Sequence, residues 1–455
     1  MAAPIATPSK HAANAALALT DIGYTSAAES VPLSEPDDDG LVLARGAYFH
    51  RYREPAHVRW CREVVRLRAG IAAACASLLI VGVAGGAPPR SVVLGISWEG
   101  AGMLARLDAR TLAPVGKRVA IGPPPTGLAA RSPDGRTIAL ASGTKAELRF
   151  VDIRAMRATG RLVFRGTGSL RQSIWPRPER LVAIRSGLDA EVLVLDPGTR
   201  RVVGRWPLEG QPLNVIPAGK RLVVLLAPKD AIGQAHLAVV GMTGSIRTLP
   251  LPRVDAGFTP PKTERDPGRH ASPGVAVDPR GIRAVVVTPA AVLEVDLDAM
   301  EVVRRHAFAA RVPAAVSKLV EGWGRRVIWL REGAVAVSGW IDVVEGDRIV
   351  HTSTGVELVD LASGTRRSLD PTATGATRVR DLLVTSGGSA LRGYDLDGNL
   401  RFELLRGRDT GYVQTSGRWI YVGRDNSTAF TVVDAREARV VGTARTPYPT
   451  IVLGS

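Results

Sequence analysis

The chain has 455 residues, 45% of them apolar and only 5% aromatic, with a formal net charge of +16. That suffices for a buried core, as two or three ordinary domains or as one large repeat domain, and it excludes a wholly disordered chain. The two cysteines, Cys61 and Cys75, form no CxxC, which excludes a cysteine-rich zinc site and leaves everything after Cys75 without a disulfide.

Residues 1–44 are rich in Ala, Ser, Pro and acids, show no period, and are expected to be a disordered tail. The run Asp37-Asp38-Asp39-Gly40 lacks the spacing and the closing Glu of a calcium loop and reads as a solvated turn. Residues 45–68 are a basic segment carrying Arg45, Arg51, Arg53, Arg59, Arg62, Arg66 and Arg68. Residues 69–87 (AGIAAACASLLIVGVAGGA) then run uncharged for 19 residues. At about 1.5 Å per residue such a helix nearly spans a hydrocarbon core of about 30 Å. Arginines at its front predict a cytoplasmic N-terminus and an external remainder, with 69–87 as a signal anchor. A cleaved signal peptide is the alternative, since Gly85-Gly86-Ala87 supplies small residues, although Pro88 directly after the cut disfavours it. Ala72-Ala73-Ala74-Cys75 is a poor lipidation site because no large aliphatic residue stands three positions before the cysteine.

After Ser91 one phrase recurs. Glu191 to Pro207 (EVLVLDPGTRRVVGRWP) is its clearest copy: a short apolar strand, an Asp-Pro-Gly turn and a second strand running back. Copies turn at Asp108, Asp152, Asp196, Gly244, Asp296, Asp360, Asp395 and Asp434, which makes eight hairpins. Asp395-Leu396-Asp397-Gly398-Asn399 looks like a calcium fragment, but it falls on a hairpin turn, where Asp and Gly serve the backbone. Asp108 to Asp152 and Asp152 to Asp196 are both 44 residues. Further strands precede several hairpins, among them TIALAS after Ser132-Pro133-Asp134-Gly135-Arg136 and WIYVG after Ser416-Gly417-Arg418. A period near 44 with several short strands per unit predicts an all-β chain folded as a β-propeller over residues 91–455.

SPDGRTIALAS resembles the inner turn and strand of bacterial WD-like propellers, and VLVLDPGTRRVVG and FTVVDAREARVVG are similar to YVTN-type repeats. These motifs are structural turns, so the resemblance implies fold and little about activity. No Trp-Asp dipeptide closes a repeat, and a quinoprotein-like Trp after the hairpin occurs once, at Trp206. Eight hairpins favour eight blades, with Pro449 to Leu453 completing the first blade beside Val92 to Ile96. Seven is the alternative, because the spacing around Gly244 and between Asp296 and Asp360 is irregular.

HExxH, GxSxG, GxGxxG and P-loop motifs are absent, and no two histidines lie three to five residues apart, so no catalytic residue, metal site or cofactor is expected. Two insertions are read as surface loops: Pro252 to Pro273, and about Arg331 to Arg348 with Trp340. The first places Arg253, Lys262, Arg265, Arg269 and His270 as candidate binding residues. Phe258 is its only aromatic, which argues against carbohydrate stacking. Residues 1–68 hold eight basic and eight acidic side chains, so the whole excess of +16 falls on the remainder. A basic external domain favours anionic partners: an acidic protein, a cell-envelope polymer or lipid headgroups, with no nucleic acid. The expectation is a membrane-anchored extracytoplasmic propeller serving as a non-catalytic binding or assembly scaffold. The alternative is a propeller enzyme of the lactonase, hydrolase or quinoprotein kind, with its site residues dispersed along the chain.

Overall fold

The computed structural model describes residues 91–453, apart from 99–101, 123–129, 142–146, 165–168, 187–189, 261–267, 309–319, 346–347, 409 and 425–426. The expected tail (1–44), basic segment (45–68) and membrane helix (69–87) lie outside the described residues. All regular elements among the described residues are strands, and no helix there is long and apolar enough to cross a membrane.

The first strands are β1 (Val92–Ser97), β2 (Met103–Asp108) and β3 (Pro114–Ala120). A four-stranded sheet follows: β4 (Ala130–Arg131), β5 (Thr137–Ala141), β6 (Glu147–Asp152) and β7 (Arg157–Val163). The next is β8 (Ser169–Arg177), β9 (Arg180–Ser186), β10 (Glu191–Asp196) and β11 (Arg201–Pro207). Then come β12 (Gln211–Ala218), β13 (Arg221–Ala227), β14 (Ile232–Val240), β15 (Ile246–Thr259) and the short β16 (Arg269–Ser272). β17 (Gly274–Val277), β18 (Arg283–Val287), β19 (Ala291–Asp296) and β20 (Glu301–Ala307) form a sheet of their own. Long strands follow: β21 (Val320–Arg331), β22 (Ala334–Glu345) and β23 (Arg348–Asp360), then β24 (Arg366–Asp370). Two more four-stranded sheets are β25 (Gly375–Val379) to β28 (Leu400–Leu404), through β26 (Leu382–Ser386) and β27 (Leu391–Asp395), and β29 (Tyr412–Ser416) to β32 (Arg439–Arg445), through β30 (Trp419–Gly423) and β31 (Ala429–Asp434). The last strand, β33 (Thr450–Leu453), returns to pair with β1, as expected for the segment ending at Leu453.

Each of the eight expected hairpins is present. Five of the turns share one chemistry. The Asp196 carboxylate accepts hydrogen bonds from the backbone N–H groups of Gly198 (2.9 Å) and Thr199 (3.2 Å). Asp108, Asp152, Asp296 and Asp434 do the same two and three residues ahead. Four residues after each Asp the chain turns left-handed, at Leu112, Met156, Arg200, Met300 and Ala438. A bulge in the ladder follows, so the outer strand resumes in register one residue late.

Middle strands such as Arg221–Ala227 are buried along nearly their whole length, whereas the outer strand Arg201–Pro207 alternates exposed and half-buried residues. Eight buried apolar clusters fill the seams between successive repeats. One seam packs Leu148 and Phe150 on Leu181 and Leu193. Another joins the end to the beginning by packing Tyr421, Phe430 and Val432 against Val93, Leu107 and Leu112. At about 1.5–3 kcal/mol for each large side chain buried, these seams are the main source of cohesion.

The expectation of seven or eight separate blades is corrected. Six four-stranded sheets stand alone, and the other two hairpin repeats share one nine-stranded sheet, β12-β13-β14-β15-β16-β21-β22-β23-β24. The physical cause is β16, which pairs antiparallel with β15 and parallel with β21.

Candidate functional site

The nine-stranded sheet converts both expected loops into ladder. In β15, Val254, Ala256 and Phe258 are buried while Asp255 is exposed, a period of two that carries the strand to Thr259. The described part of Pro252–Pro273 is therefore strand rather than loop. The Arg331–Arg348 stretch is corrected in the same way: its largely apolar run, buried continuously from Ala334 to Gly339, forms β22 between β21 and β23.

One cross-strand row runs over five strands. His270 is in register with Phe258 and Gly322, Gly322 with Asp342, and Asp342 with His351. Residues in register share a face, so Asp342 lies between two imidazoles. His351 Nδ1 is 2.8 Å from Asp342 Oδ1, and His270 Nε2 is 3.6 Å from Asp342 Oδ2. The next row places Gly324 beside Trp340 and Trp340 beside Ser353. The Trp340 ring is 4.6 Å from that of His270 and 5.0 Å from that of His351.

Two glycines make this packing fit. A Cβ on Gly322 would overlap the His270 ring, and one on Gly324 would come within 2.6 Å of the Trp340 indole. Both rings thus lie across the backbone of β21. The His351 side chain is 60% exposed, against 19% for His270 and 16% for Asp342. His270 Nε2 is buried and makes no hydrogen bond. Burial pushes the His270 imidazolium below its ordinary range, the neighbouring His351 adds to that, and Asp342 opposes it. His270 is accordingly neutral at pH 7 and would meet an anion as a hydrogen-bonding ring rather than as a cation. His351, oriented by Asp342, offers an exposed ring edge that can hydrogen-bond. Among the described residues no group of three or more His, Cys, Asp or Glu side chains is arranged to hold a metal ion.

The expected binding residues are placed unevenly. Arg253 is exposed at a left-handed position where β15 bulges away from β14, with Arg305 donating a hydrogen bond to the adjacent Pro252 carbonyl (2.8 Å). Arg269 opens β16 opposite Thr259 and is exposed, and His270 follows it inward. Lys262 and Arg265 lie outside the described residues. Asp342 and His351 were not singled out as site residues, because they meet His270 only through β16. The one local signal was Gly322-Trp323-Gly324: glycines on one face of a strand mark a close approach.

A second buried carboxylate, Asp370, is fully engaged. Burial would push its pKa up, but hydrogen bonds from Thr385, Arg392 and Thr372 outweigh that and hold it low. It braces the sheet.

No family model matches the chain, and no curated protein matches it. Solved structures do. A dihydro-heme d1 dehydrogenase, NirN, in complex with DHE superposes with a TM-score of 0.54 at 14% identity, covering 82% of this chain and 76% of that one. This chain shares the β-propeller fold. The β-propeller domain of Myceliophteria thermophila Cps50 (Swd1) overlaps more loosely, with a TM-score of 0.36 at 12% identity over 65% of this chain and 91% of that one. At these identities the likeness reaches the fold and stops there. The YVTN-type resemblance remains one of turn chemistry.

Proposed function

We propose that this propeller is a non-catalytic binding or assembly scaffold for an anionic partner, held at the outer face of a membrane by residues 69–87. The two halves of the nine-stranded sheet, β12–β15 and β21–β24, are proposed as its seventh and eighth blades. The observation that carries the reading is that the described ends of the basic 252–273 segment are strand: Arg253 lies within β15 and Arg269 is paired with Thr259, so the backbone beneath both arginines has little ordering entropy left to lose on binding. The positive excess of the chain supports the sign of the partner.

Binding to anionic liposomes and to acidic wall polymers, measured at low and high salt, tests it. Wild-type protein is expected to bind and to weaken as salt rises. Replacing Lys262, Arg265 and Arg269 by Ser is expected to weaken binding about tenfold to a hundredfold, at up to about 1 kcal/mol per exposed contact. No binding at low salt overturns the anionic partner. A cytoplasm-only reporter fused after Ser455 is expected to be silent, and a bright signal overturns the topology.

A second reading, a propeller hydrolase or lactonase, is favoured by the convergence of His270, Asp342 and His351. It requires hydrolysis of a lactone or ester panel that is lost in His351→Gln. A quinoprotein-like enzyme draws no comparable support.

A further inference from the structure

We propose that the β15–β16–β21 bridge is a proton-released latch, and that His270 is the side chain whose protonation opens it. The proposal concerns the closure of the sheet and stands apart from the identity of the partner.

β16 has four residues and meets β15 and β21 through three residue pairs each, so it is the short link of a long sheet. Short ladders of this kind open well below the cost of global unfolding. The centre of the link is His270, with four-fifths of its side chain covered. Around it, β15 offers Phe258, β21 offers the bare backbone of Gly322, β22 offers Trp340 and Asp342, and β23 offers His351. One carboxylate therefore serves two imidazoles, and its Oδ1 is already engaged by His351. A proton added to His270 in the closed bridge would place a charge in a covered site with only the 3.6 Å approach to Asp342 Oδ2 for compensation. In the open bridge the same ring is in water.

The sign follows from linkage. Burial lowers the closed-state pKa of His270 below its ordinary value of 6.5. The latch is fully closed above about pH 6.5 and loosens as pH falls toward the lowered closed-state value. One proton is involved, so the opening constant can rise at most about tenfold per pH unit within that window.

Hydrogen exchange on the full chain between pH 7.5 and 5, corrected for intrinsic rates, tests the latch. Protection at β16 and at the paired start of β21 is expected to fall by up to about tenfold per unit below pH 6.5, while β18 and β26 stay unchanged. His270→Gln is expected to flatten this dependence. Asp342→Asn removes the one group that favours the charged ring, so it is expected to steepen the dependence. Protection at β16 that ignores pH, or an identical pH profile in His270→Gln, overturns the proposal. Should His270→Gln fail to close the bridge, NMR titration of the wild-type His270 ring decides: a pKa at or above 6.5 overturns it.

Discussion

Five hairpin-turn carboxylates are half-buried, and the turns themselves hold them low. Backbone N–H bonds hold Asp152, Asp296 and Asp395 below the ordinary carboxylate range, led by those from Ala155, Ala299 and Asn399. Asp196 and Asp360 are held low in the same way, led by the N–H groups of Thr199 and Ser363. A depressed folded pKa gives stability that is present above the unfolded value of about 3.9 and is lost as pH falls through the folded value. Replacing all five by Asn keeps an acceptor for the turn and removes the titration. The variant is expected to melt with a shallower decline than wild type below about pH 4, read by thermal denaturation at stepped pH; parallel curves would show that the turns do not couple to protons. This residue chemistry was legible in the sequence, because an Asp followed by a turn is a local signal that needs no tertiary contact.

At the scale of elements, the legible and the hidden part company at β16. Hairpins β10–β11 and β31–β32 are written within one stretch each: apolar strand, Asp turn, apolar strand. β16 is written nowhere locally. Its four residues follow a segment rich in Pro and charge, and its partner β21 begins about 50 residues later in a parallel pairing, which no turn signal announces. The site suffered for the same reason, since His270 was visible as a loop residue while Asp342 and His351 were invisible as its neighbours. Gly322 and Gly324 are the test of this element. Alanine at Gly322 would collide with the His270 ring, and at Gly324 with the Trp340 indole. Overfilling a packed contact costs about 1–3 kcal/mol. Gly322→Ala is expected to expose β16 to hydrogen exchange at neutral pH, and Gly324→Ala to alter the near-ultraviolet circular dichroism, with the far-ultraviolet signal retained in both. An unchanged β16 in Gly322→Ala would mean that the ring can move aside and that the glycine is not a packing requirement.

For the whole molecule, closure depends on the last strand. β33 completes the sheet of β1, β2 and β3 through the pairs Leu94–Leu453, Gly95–Val452, Ile96–Ile451 and Ser97–Thr450. Gln414 on β29 holds it from the other side, donating to the Thr450 carbonyl and accepting the N–H of Val452. Across the same seam Trp419 donates to Ser91 Oγ (3.1 Å) and Tyr421 to the Ala109 carbonyl (2.9 Å). This closure was expected from an orphan apolar segment at one end matching a sheet that lacked a strand at the other. The arrangement of the blades was not, because fusion through β16 is a pairing between repeats rather than a property of any one of them. Ending the chain at Pro449 removes β33, and it exposes the cluster that Val452 shares with Val93 and Tyr421. Val452 is buried, worth about 1.5–3 kcal/mol, and Ile451 is half-buried, worth about half as much, so unfolding in urea is expected to shift by about 2–4.5 kcal/mol. The unpaired edge left on β1 is a template for strand addition. A synthetic peptide of residues 449–455, added in trans, is therefore expected to restore part of the lost stability in proportion to its concentration, whereas a scrambled peptide is not. Truncation without any loss of stability would show that the ring closes through its apolar seam alone and that β33 is an ornament of the first sheet.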